Sequence, residues 1–142
     1  MNQDKLRASL IRHEGVRTKP YIDTVDAISV GCGHNLTANG IPLSMVWELL
    51  DNDVATALDC ARQFPWFDTL DDVRQRVIVE MIFNMGMAGL KTFTNMLAYV
   101  SSGRYTDAAL HMMTSQWATQ VGQRAAGLAE MMRTGTDPVE VQ

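Results

Sequence analysis

Apolar residues return every three or four positions from the start of the chain, which is the spacing of one helix face. Leu6, Leu10 and Ile11 form the stripe, with Lys5, Arg7 and Arg12 off it. Asn2 is a favoured N-cap type and Gly15 a favoured helix stop, so the pattern predicts a helix that ends at Glu14. Glu14 follows Leu10 and Ile11 at helical spacing, which puts its carboxyl in line with the stripe. Behind it the period changes to two. A hairpin is predicted, with one strand near Pro20–Asp23, a turn Thr24-Val25-Asp26-Ala27 and a second strand Ile28–Gly33. In that second strand Ile28, Val30 and Cys32 share one face, and Ser29, Gly31 and Gly33 the other.

The helical period then resumes. Ser44 is the expected cap of a helix whose Val46, Leu50, Val54, Ala57 and Ala61 form a stripe long enough to bridge two lobes. Thr69 or Asp71 opens the next helix, with Val73, Val77, Met81 and Met85 inward, and Gly86 and Gly89 break it. Shorter helices are expected near Thr92–Ser101, Thr106–Met113, Ser115–Val121 and Gln123–Arg133, with a polar tail beyond. The Met112-Met113 and Met131-Met132 pairs read as adaptable core filler.

Composition narrows the class. At 142 residues, 46% hydrophobic and 20% charged, the chain is one globular domain rather than a disordered segment. No run approaches the roughly 18 apolar residues of a membrane span. The amphipathic start is not that of a secretory signal, so Cys32 and Cys60 are expected reduced. The net charge of −4 is uneven: Glu48, Asp51, Asp53, Asp59, Asp68, Asp71 and Asp72 face Arg62 alone over residues 41–72, and the flanking parts are slightly basic. No stretch carries a nucleic-acid footprint.

The chemistry concentrates near the N-terminus. Glu14 at the inner end of an apolar stripe suits a proton donor, and Asp23 and Ser29 follow on the hairpin. Two carboxylates and a hydroxyl are the parts needed to break a glycosidic bond with water. Gly31 and Gly33 beside Ser29 would let a ligand lie close against the strand. Two plainer readings stay open at this point: a Glu paired with an Arg, and a bulged edge strand. Sharper alternatives fail on spacing. His13-Glu14 begins like a zinc helix motif but meets Arg17 where the second His belongs, and Asp51-Asn52-Asp53 lacks the glycine of a calcium loop. Cys32 has no activating partner, and His111 none that the pattern names.

The order Glu14, Asp23, Ser29 with Gly31-Cys32-Gly33-His34 resembles the phage-type lysozymes, the T-even phage lysozyme-like endolysins. So do Asp72–Val77, Met81–Gly86, Phe93-Thr94-Asn95, Trp117, Arg124 and Arg133–Thr136, so the likeness spans most of the chain. The resemblance implies an α+β, lysozyme-like fold, mainly helical, with a small N-terminal β-hairpin lobe and a cleft between lobes. Residues 20–43 would be the hairpin lobe, 1–15 and 62–142 the helical lobe, and 44–61 the connecting helix. It implies Glu14 as general acid, Asp23 as the carboxylate that orients or activates water, and Ser29, where the family usually has Thr, as the hydroxyl that helps hold that water. It implies a structural ion pair of His34 with Asp53, an Arg124 that faces the catalytic Glu, and Phe83 and Asn84 at the bottom of the cleft, where Gln is usual for Asn84. The connection from His34 to Asp53 is shorter than in the T-even enzyme.

The implied activity is that of a muramidase cutting the β-1,4 bond between N-acetylmuramic acid and N-acetylglucosamine in peptidoglycan, with inversion and without metal or other cofactor. Its expected partners are glycan strands and a holin-type membrane protein. A monomer is expected, held in the host cytoplasm until the membrane opens and then reaching the periplasm and wall. Two other readings stay open: a lytic transglycosylase that needs no water-holding Asp, and a lysozyme-fold binding module that has lost catalysis.

Overall fold

The computed structural model describes residues 1–139, and residues 140–142 of the predicted polar tail lie outside the described residues. The chain divides into two compact units, Met1–Leu49 and the residues from Leu50 onward. Mostly helical, with one small antiparallel sheet, it has the α+β fold expected of a lysozyme-like protein.

In the first unit, helix α1 spans Gln3–Glu14. Asn2 Oδ1 accepts the Lys5 amide at 2.9 Å, and Gly15, at φ +74°, donates its N–H to the Ile11 carbonyl. Both ends are therefore closed by the residues the sequence nominated. The stripe behaves otherwise: Leu6, Leu10 and Ile11 are exposed, because this unit buries only Ala27 and Ser29 and has no core to receive them.

The sheet has three strands in the order β1 (Arg17–Ile22), β2 (Ile28–Gly31), β3 (His34–Asn35), both pairings antiparallel. The predicted hairpin is its core, with Ile22 opposite Ile28 and Tyr21 opposite Ser29. The second strand stops earlier than expected. Gly31 and Gly33 take φ of +67° and +72°, a left-handed conformation that costs glycine little, and the chain doubles back into β3. Cys32 thereby sits exposed in a turn rather than on an apolar strand face. The two faces of β2 are also exchanged relative to expectation: Ser29 is 2% exposed and Ile28 is 48% exposed. After β3 comes a short helix α2 (Leu36–Asn39), capped by Asn35 Oδ1 on the Ala38 amide.

Helix α3 (Leu43–Ala61) runs from the first unit into the second. It starts before the expected Ser44 cap, from the Pro42 carbonyl, which accepts the Met45 and Val46 amides. Of its stripe, Ala57 and Ala61 are buried and Val46, Leu50 and Val54 exposed. Asp71 caps α4 (Asp72–Lys91) through the Arg74 amide. Gly86 interrupts α4 with non-helical backbone, whereas Gly89 stays within it. Helices α5 (Thr94–Ser101), α6 (Tyr105–Met113), α7 (Gln116–Val121) and α8 (Gln123–Thr134) complete the second unit. Its core is built on Ile78, Met81, Leu90, Met96, Met112 and Met132, all fully buried; Met131 joins them, whereas Met113, expected as core filler beside Met112, is 44% exposed. Arg74 ties α4 to α8 by donating to the carbonyls of Met132 at 2.7 Å and Arg133 at 3.0 Å.

Candidate active site

The sheet and the end of α1 gather the N-terminal candidates. Glu14 is the last residue of α1, and its side chain lies over the bare Cα of Gly33: a methyl group placed there would stand 3.0 Å from Oε2 and 3.1 Å from Cδ. The Gly31-Cys32-Gly33 turn therefore makes room for that carboxyl. Glu14 itself is exposed, which corrects the expectation of a desolvated carboxyl on an inner face. The reason is the one that leaves Leu10 and Ile11 uncovered: the stripe has no partner within its unit.

Asp23, half-buried, opens the turn between β1 and β2 and is locked by it. Its Oδ1 accepts the amides of Val25 and Ala27, each at 2.9 Å, in the manner of an Asx turn. That leaves Oδ2, toward which the Ser29 hydroxyl donates at 3.4 Å, near the long limit of a hydrogen bond. Ser29 is the one buried polar residue among the described residues. It therefore supports Asp23 from behind, rather than lying on an open cleft floor as the strand pattern implied. Gly31 adjoins it on β2, with open space above its Cα. His34 on β3 holds the Gly40 carbonyl through Nε2, and since a carbonyl only accepts, that nitrogen carries the proton.

The remaining candidates belong to the second unit. Asn84 Oδ1 accepts the Trp117 indole N–H at 2.7 Å. Indole only donates, so the Asn84 oxygen is fixed and its NH₂ is turned the other way. Phe83 is exposed and borders two hollows: one of about 600 Å³ with Leu58, Val79 and Arg124, and one of about 400 Å³ with Asp53 and Cys60. Arg124 Nε donates to Glu80 Oε1 at 3.1 Å. Glu80 was missed in the sequence because only a tertiary contact links it to a residue 44 positions away. Trp117 was noticed without its partner for the same reason. The structure thus joins Glu14 to Gly33, and Asp23 to Ser29; His34 and Asp53 fall in different units. Among the described residues no group of three His, Cys, Asp or Glu is placed to hold a metal ion.

One small sheet unit thus carries two carboxylates, one beside a glycine turn and one locked with a single oxygen to spare. The family described as Phage lysozyme matches residues 11–133, and the chain is a member of it. Among curated relatives it is similar to "Probable T4-type lysozyme 1" of Dictyostelium discoideum, 25% identical over 87% of this chain and 90% of the relative. It is also similar to "Probable T4-type lysozyme 2" of the same organism, 23% identical over 92% of this chain and 95% of the relative. Membership supports a lysozyme-type, peptidoglycan-cleaving function and with it a glycoside hydrolase activity.

Proposed function

We propose that this protein is a muramidase that hydrolyses the β-1,4 bond between N-acetylmuramic acid and N-acetylglucosamine in peptidoglycan, with inversion at the anomeric carbon. The observation that carries the reading is the Asp23 carboxylate, with Oδ1 committed to two backbone amides and Oδ2 left to a single hydroxyl. A carboxylate held in this way can take a proton from a water it orients without itself turning. Glu14 protonates the bridging oxygen as the glycosidic bond breaks. Water held on Asp23 Oδ2 attacks the anomeric carbon from the opposite face and passes its proton to Asp23. Ser29 acts through Asp23, fixing the direction of Oδ2. Gly31, with open space above its Cα, allows the sugar chain to approach the sheet, and Gly33 makes room for the Glu14 carboxyl. Only protons move at these residues, and the steps call on no metal or organic cofactor.

Access is part of the proposal. A holin-type partner that opens the cytoplasmic membrane would let a monomeric enzyme made in the host cytoplasm reach the periplasm and wall.

Digestion of purified peptidoglycan followed by mass spectrometry tests the reaction. Reducing muropeptides support hydrolysis, whereas 1,6-anhydro ends would replace it with transglycosylation and no release would leave a binding module. NMR of early turnover should show the inverted α-anomer; a β-anomer would sink the single displacement. Glu14→Gln keeps the side chain's size and removes the donor, so release should fall roughly 100-fold or more.

A further inference from the structure

The weakest link in the candidate site is the Ser29–Asp23 contact at 3.4 Å, because a hydrogen bond of that length is lost with a small shift of the strand that carries it. What holds that strand is therefore a functional question. Ser29 is the second residue of β2, opposite Tyr21 on β1 and Asn35 on β3. β3 ends at Asn35, where α2 begins, so no further strand residue stands beside Ile28 on that side. The Ile28 amide would lack a ladder partner there. Thr37, the second residue of α2, supplies it: its Oγ1 accepts the Ile28 N–H at 2.8 Å.

We propose that Thr37 is a positioning residue of this site: by accepting the Ile28 amide its hydroxyl fixes the start of β2 and, through it, the Ser29 hydroxyl against Asp23. The chain of contacts is short and lies within one unit. Asn35 Oδ1 caps α2 on the Ala38 amide, α2 presents Thr37 to Ile28, and Ile28 precedes Ser29. A methyl group in place of the hydroxyl keeps the side chain's shape and leaves the Ile28 amide without its acceptor, so β2 gains freedom where Ser29 must reach Oδ2. The inference rests on the reading of Asp23 and Ser29 given above.

The test is a double-mutant cycle on a soluble peptidoglycan fragment, with kcat, KM and Tm measured for Thr37→Val, Ser29→Ala and the pair. Thr37→Val should lower kcat by about 2- to 10-fold, the worth of one hydrogen bond, with KM unchanged. Thr37→Ser should restore kcat. In the Ser29→Ala background Thr37→Val should add nothing, since its effect passes through Ser29. If the two losses multiply, or if Thr37→Val lowers Tm alone while Ser29→Ala lowers kcat, Thr37 is only structural and the proposal falls. If Ser29→Ala leaves kcat unchanged, the reading of Ser29 fails and carries this proposal with it. Thr37→Ala gives the same comparison should the valine variant not fold.

Discussion

Gly33 shows how much one missing side chain can decide. It sits at φ +72°, and its Cα is the surface against which the Glu14 carboxyl rests. Gly33→Ala should therefore lose twice: about 1–2 kcal/mol of stability from the left-handed backbone, and kcat by about tenfold from the displaced carboxyl. Gly103→Ala separates the two effects, because at φ +75° it meets the same strain with open space above it. It should lower Tm and leave kcat alone; equal kcat in both alanine variants would remove Gly33 from the positioning of Glu14. At this scale the sequence was informative about identity and less so about surroundings. Glu14, Asp23 and Ser29 stand out by type and order. A period of two says which residues share a face of β2, not which face is covered, and so Ser29 was expected in the open and is found buried.

Asp71 governs two elements at once. Its Oδ1 caps α4 on the Arg74 amide, and its Oδ2 accepts Arg74 Nη1 at 2.8 Å. The same guanidinium holds the last carbonyls of α8 and lies over the Tyr105 ring, 3.7 Å from its centre. Burial raises the Asp71 pKa, but the side-chain and backbone hydrogen bonds from Arg74 outweigh it and hold the carboxyl below its ordinary value. A depressed folded pKa means stability that is present above the unfolded value of about 3.9 and lost as pH falls through the folded one. Asp71→Asn keeps a good cap and removes the charge. Its Tm should fall less steeply than the parent's below about pH 4. Some slope should persist, since a hydrogen bond from Arg76 lowers the Asp137 pKa and one from Arg133 lowers that of Glu130. Parallel Tm curves would show that Asp71 is a cap and nothing more. The caps themselves were legible: Asn2, Gly15 and Asp71 are residue types with a local bonding habit. Strand β3 was not, because it is two residues long and follows a Gly-Cys-Gly turn, too short for any period to show.

Across the whole chain, burial is unequal. The large fully buried side chains all belong to the unit that begins at Leu50, and Met1–Leu49 buries only Ala27 and Ser29. Amides held by little apolar packing open more readily than those of a core. Hydrogen exchange should therefore be fast in α1 and the sheet and slow in α4, α6 and α8; equal protection in the two units would contradict this division. The change to a period of two near residue 20 and back near 44 marked the hairpin, and the fold class came with the family resemblance, whereas the division of burial was not legible, since the apolar stripe of α1 looks like any other. The methionine core has a chemical consequence. Peroxide reaches Met1, Met45 and Met113 in the folded protein, but Met81, Met96, Met112 and Met132 only when their unit opens. A sulfoxide is polar and does not repack where the thioether lay. Openings in an oxidising medium thus expose these sulfurs, and a sulfoxide formed then persists until a reductase removes it, so this core keeps a chemical record of having come apart.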